Sequence, residues 1–207
     1  MIGTALRTAA LLLTLLPFTP AAQAETFGER VMAPGLLATL EAGETRTFLH
    51  ARVLPEAKED TPAPMGGYRR LERQEERAVS ISTTPAGRIA LLQGERQVAD
   101  FAKSTPHPVL LMFLENVMRA VAQETGGNPH YIRNRMRMTL GAQELTGAEM
   151  TITPFAEDPN HHRFGEFAAL QITVRWRPDA PAELTELSAS LPGNPERYSE
   201  TFRAADM

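Results

Sequence analysis

Thr45, Thr47, Leu49, Ala51 and Val53 alternate with Glu44, Arg46, Phe48, His50 and Arg52, and this two-residue period predicts a half-buried strand. Just before it, Pro34 sits in a first-turn position with Leu36, Leu37 and Leu40 on one face, which predicts a short helix within Val31 to Leu40. The run from Leu54 to Gly67 carries Pro55, Pro62, Pro64, Gly66 and Gly67, so it reads as a mobile loop. Strands are expected at Tyr68 to Arg73 and Arg77 to Thr83, with a turn at Thr84 to Gly87 returning the chain into Arg88 to Gln93.

The period then lengthens. Pro106 and Pro108 announce a helix start, and Leu110, Phe113, Leu114, Val117, Met118 and Val121 make a broad apolar stripe that ends at Gly126-Gly127. Asn128-Pro129 has the form of an N-cap and a first-turn proline for a second helix, Pro129 to Leu140. Within that segment Ile132, Asn134, Met136, Met138 and Leu140 also alternate with Arg133, Arg135, Arg137 and Thr139 as a strand does, and the start signals favour helix. Strands follow at Glu149 to Phe155, Glu166 to Arg177, Glu183 to Leu191 and Arg197 to Arg203, cut by proline-containing turns. Strands, then helices, then strands predict an α+β fold: an antiparallel, curved sheet packed on a central helical block.

The first 24 residues stand apart. Arg7 supplies a positive n-region, Ala9 to Leu16 a short apolar core, and Ala22-Gln23-Ala24 a small-x-small cleavage signal. The apolar run stops at Pro17, short of the roughly 20 residues that cross a bilayer. The expectation is a signal peptide cleaved after Ala24, a periplasmic address, and one domain over 25–207 with no transmembrane segment. Losing Arg7 takes the formal charge from −4 to −5, which argues against nucleic acid as the partner. With 43% hydrophobic residues and no cysteine, the chain must hold together by packing, and thiol catalysis, cysteine-zinc sites and iron-sulfur clusters are excluded.

The segments Thr125-Gly126-Gly127-Asn128-Pro129-His130-Tyr131-Ile132-Arg133-Asn134-Arg135 and Pro154-Phe155-Ala156-Glu157-Asp158-Pro159-Asn160 resemble those of predicted exported proteins of alphaproteobacteria. That resemblance implies the periplasmic address and carries no catalytic residues. The expected sheet closing over helices also resembles, at the level of fold alone, the half-barrel of periplasmic lipoprotein carriers.

Three groups of residues bear on chemistry. Asp158, His161 and His162, with Glu157 and Asn160, fall in one loop and form the densest candidate metal set, which a metal-assisted hydrolase would use; a solvated polar turn explains them as well. Arg133 and Arg137 lie one helical turn apart, near Arg135 and Arg119, and two guanidinium groups so placed suit a phosphate or carboxylate; in a chain with 19 arginines and 2 lysines, ordinary surface charge is the plain alternative. Met112, Phe113 and Met136, with Met118, Met138 and Tyr131, suit either a core or the lining of an apolar pocket. No Gly-x-Ser-x-Gly elbow, phosphate loop or dinucleotide fingerprint is present, and no cofactor is called for. The sequence thus favours a non-enzymatic binding or carrier protein for an apolar or amphipathic envelope component or an envelope protein partner, with the metal-assisted hydrolase as the alternative.

Overall fold

The computed structural model describes residues 25–55 and 64–205. The expected signal peptide, 1–24, and most of the expected 54–67 loop lie outside the described residues. A four-residue helix α1 (Phe27–Arg30) opens the described chain, closed by a capping box in which Thr26 and Glu29 satisfy each other's backbone N–H groups. It precedes the helix expected within Val31 to Leu40, where the chain instead makes a series of turns. Strands β1 (Thr45–Val53), β2 (Gln74–Thr83), β3 (Ile89–Gln93) and β4 (Arg96–Phe101) follow, then helices α2 (Pro108–Thr125) and α3 (Pro129–Gly141), then β5 (Glu149–Ile152), β6 (Gln171–Arg177), β7 (Ala180–Ser190) and β8 (Ser199–Ala204).

The eight strands form one open antiparallel sheet in the order β4-β3-β2-β1-β8-β7-β6-β5. Each half is a meander of successive neighbours, β1 to β4 on one side and β5 to β8 on the other. Among the described residues the two halves of the sheet meet only where β1 pairs with β8, with His50 opposite Phe202 and Arg52 opposite Glu200. One face of the sheet is packed. It carries Val79 and Ile81 from β2, Ile172, Val174 and Trp176 from β6, Leu187 from β7 and Phe202 from β8. Helix α2 crosses this face over β2, β7 and β8, and α3 packs along α2. The architecture is therefore α+β, with the helical block between the two meanders in sequence and on one face of the sheet in space.

Several local outcomes have clear causes. Helix α3 wins over the alternating reading of its sequence because the Asn128 side chain accepts hydrogen bonds from the N–H groups of His130 and Tyr131, and Gly126 takes the left-handed backbone (φ 67°) that ends α2. Tyr68 to Arg73 is not a strand. Its backbone bonds to side chains instead: the Gln123 amide accepts from Leu71 N–H (2.8 Å) and donates to Leu71 C=O (3.2 Å), and Arg119 donates to the Arg69 carbonyl (2.6 Å). His161–Ala169 forms 3-10 turns broken at Gly165 (φ 54°), so β6 starts at Gln171 rather than at Glu166. Edge strand β4 has almost no buried face, so no apolar alternation announces it.

Where α1 meets α3, the contact is backbone to backbone: a Cβ on Gly28 would stand 3.0 Å from the Gly141 carbonyl oxygen. Gly28→Ala is expected to lower stability by about 1–3 kcal/mol, as overpacking of a fitted contact does. Urea unfolding followed by Trp176, which packs on Phe27 at 6.0 Å, measures it.

Candidate functional site

Strand β1 turns Phe48, His50 and Arg52 toward the helices, and β8 turns Glu200 and Phe202 the same way, in phase with the buried Tyr198 just before it. The set facing the core is thus the more polar of the two in β1. Glu200 is 0% exposed, and its carboxylate is fully engaged. Asn116 of α2 donates to Oε1 (2.8 Å), Arg52 donates through Nη2 to Oε1 (3.1 Å) and through Nε to Oε2 (2.5 Å), and His50 Nε2 lies 2.8 Å from Oε1. Burial pushes the Glu200 carboxyl up, but the hydrogen bonds from His50 and Arg52 and their nearby charge outweigh it and hold the group below the usual carboxylate range. The His50 ring stacks on Phe202 at 4.2 Å. Among the described residues Glu200 is closed off from solvent, and its partners come from β1 and α2, so this cluster binds elements of the fold to one another. It is the arrangement that the sequence reading missed. The signal was available, since Arg52 and Glu200 are opposite charges in the phase of their strands shared by Phe48 and Phe202, but only the pairing of first with last strand reveals it.

Among the described residues, Asp158, His161 and His162 are not gathered into a group that could hold a metal ion. The Asp158 carboxylate is buried and accepts from the Tyr131 hydroxyl (2.8 Å) and from Asn160 N–H (2.7 Å), and Arg135 Nε lies 3.1 Å from it. His161 and His162 are exposed, and among the described residues no group of three or more His, Asp or Glu side chains is placed to hold a metal ion. The carboxylate is the catch of a latch. It fastens the 158–164 turn to α3, where Phe155 and Phe164 stack at 4.3 Å beneath it.

Of the residues expected to contact a ligand, Met112, Arg133, Met136 and Arg137 come together. They line a groove of about 500 Å³ between α2, α3 and the β3–β4 edge, with Leu91, Phe101 and Leu111 among its walls. Phe113 does not reach it. Its ring faces the sheet, edge-on to Phe202 at 6.1 Å, because position 113 lies on the opposite side of α2 from 111 and 112. The two arginines also differ from the expected clamp. Arg133 is held by Glu115 (3.0 Å) and by the Tyr68 hydroxyl (3.1 Å), while Arg137 is exposed and has no hydrogen bond or ion pair among the described residues. The hydrogen bonds that Arg133 donates to Tyr68 and Glu115 raise its pKa further. Arg119 and Arg135 are committed to the Arg69 and Pro154 carbonyls.

A second hollow of about 690 Å³ lies between the α2–α3 turn and the 160–164 turn. Of its polar side chains, Tyr131 and Asn160 are bonded to Asp158 or to each other and Asn128 caps α3, which leaves Arg163 as the charged group facing it. No family model matches the chain, and no curated protein and no solved structure matches it either.

His107, immediately before α2, is completely buried against Phe48, and neither ring nitrogen has a hydrogen-bond partner. Burial, with the Arg46 charge, pushes its pKa down to about 3 from 6.5. The folded state therefore excludes a proton that the unfolded chain takes up below pH 6.5, and stability falls as pH falls between 6.5 and about 3. The slope reaches about 1.4 kcal/mol per pH unit from this group. His107→Leu is expected to flatten that slope between pH 6.5 and 4.5, measured by urea unfolding at each pH; an unchanged slope rules out the neutral ring as its source.

Proposed function

We propose that this chain is an exported, non-enzymatic binding or carrier protein of the periplasm that shelters an apolar or amphipathic envelope component between α2, α3 and the β3–β4 edge. The observation that carries the reading is the groove itself. Its walls are mainly aliphatic, aromatic and thioether side chains, and its volume of about 500 Å³ falls in the range of small-molecule sites. Met112 and Met136 are unbranched, so they adapt to chains of irregular shape. Its charged groups are few, Glu115, Arg133 and Arg137, as a site for an amphipath requires. The leader-like segment at 1–24 and the resemblance to exported proteins support the address. A metal-assisted hydrolase has no such support, because Asp158 is spent on Tyr131, Asn160 and Arg135.

Native mass spectrometry of protein taken from the periplasm is expected to show a bound hydrophobic adduct. The purified protein is also expected to bind an environment-sensitive hydrophobic dye that Met112→Trp, by filling the groove, weakens at least about tenfold, or about 1.4 kcal/mol. A clean apo mass together with dye binding that ignores Met112→Trp contradicts the reading, and a stoichiometric protein partner in its place moves the occupant from lipid to protein.

A further inference from the structure

We infer that the groove selects an amphipath with a single negative charge, a long-chain carboxylate, and that Arg137 alone receives the head group. The inference rests on the groove being a ligand site and specifies its ligand. Three charged side chains line the groove: Glu115, Arg133 and Arg137. Two of them cancel. The Glu115–Arg133 pair is closed at 3.0 Å, and Arg133 Nη2 also donates to the Tyr68 hydroxyl, so the Arg133 charge is already balanced by a carboxylate. Arg137, one turn further along α3, is left with an open planar fork of donors and no carboxylate within reach among the described residues.

The net fixed charge of the groove is therefore one positive charge. A monoanion brings it to neutrality, and a carboxylate matches the guanidinium fork in a two-point contact. The rest of the ligand meets Met112, Met136, Leu91 and Phe101, which have nothing to offer a polar chain. A cationic head meets an unpaired like charge. A dianionic phosphomonoester needs a second cation, and the only one at hand is tied to Glu115, whose own charge repels the incoming phosphate. The geometry thus orders three head groups: carboxylate first, uncharged alcohol next, quaternary ammonium last.

Dye displacement by dodecanoate, dodecanol, dodecyltrimethylammonium and dodecyl phosphate, all below micelle-forming concentration, tests this on the exported protein. Dodecanoate is expected to bind roughly tenfold more tightly than dodecanol, and Arg137→Gln to remove that difference while leaving dodecanol unchanged. Arg137 is exposed, so the variant keeps the fold, which Trp176 fluorescence verifies. Glu115→Gln, by freeing Arg133, is expected to improve dodecyl phosphate relative to dodecanoate. If dodecanoate and dodecanol bind alike, if Arg137→Gln changes nothing, or if dodecyl phosphate is the best ligand of the unaltered protein, the head-group assignment falls and the groove remains an apolar site. If none of the four displaces the dye, the groove reading itself falls.

Discussion

The rest of the structure depends on a carboxylate that has been taken wholly out of water. Glu200 stands at the seam where the first strand of one meander pairs with the last strand of the other, and among the described residues no other strand pairing joins the two halves of the sheet. A bare charge in that position costs several kcal/mol, and what makes it tolerable is that Arg52, His50 and Asn116 cover both oxygens. A slip of one residue between β1 and β8 moves Glu200 or Arg52 to the solvent face and leaves the other uncovered in the core. Apolar side chains along the seam tolerate alternatives that this pair forbids. The network thus reinforces the register that the burial of Phe48 and Phe202 on the same face already favours.

The same network sets the position of the helices. Asn116 belongs to α2, and its bond to Glu200 fixes both the rotation and the depth at which α2 lies across the sheet. Once Asn116, Phe113 and Val117 face the strands, Leu111, Met112 and Glu115 must face the other way, toward α3 and the overhanging β3–β4 edge. The groove follows from that rotation. Its floor is the outer face of a helix whose inner face is pinned by the hydrogen bond from Asn116 to Glu200. Arg119 and Gln123, further along α2, hold the 68–72 segment down beside it by serving as the hydrogen-bond partners that a neighbouring strand would otherwise supply.

Much of this was legible in the sequence, and the failures share a physical cause. Signals carried by near neighbours were read correctly: the two-residue period of β1, the stripe of α2, and the Asn128-Pro129 start of α3, where capping outweighed alternation. Apart from the helix expected within Val31 to Leu40, which the chain replaces with turns, what failed depended on partners far away in the chain. The alternation of β1 is ambiguous about which set points inward, and the answer, Phe48, His50 and Arg52, is decided by Glu200, 148 residues beyond Arg52. Asp158 has the right neighbours for a metal ligand, but its true partners, Tyr131 and Arg135, sit on another element. Tyr68 to Arg73 has the composition of a strand, yet its hydrogen bonds go to side chains. Among the ligand candidates, helical spacing alone separates Phe113, turned to the core, from Met112, turned to the groove.

The most direct test of the seam is amide hydrogen exchange on Glu200→Gln against the unaltered chain. Losing one partner of a buried pair costs about 3–5 kcal/mol. That loss should appear first as exchange at the β1–β8 pairing, Leu49 to Val53 against Ser199 to Arg203, while the β2–β3 and β6–β7 hairpins keep more of their protection. Protection lost evenly across all eight strands, or not lost at all, would contradict the claim that Glu200 joins the two halves of the sheet.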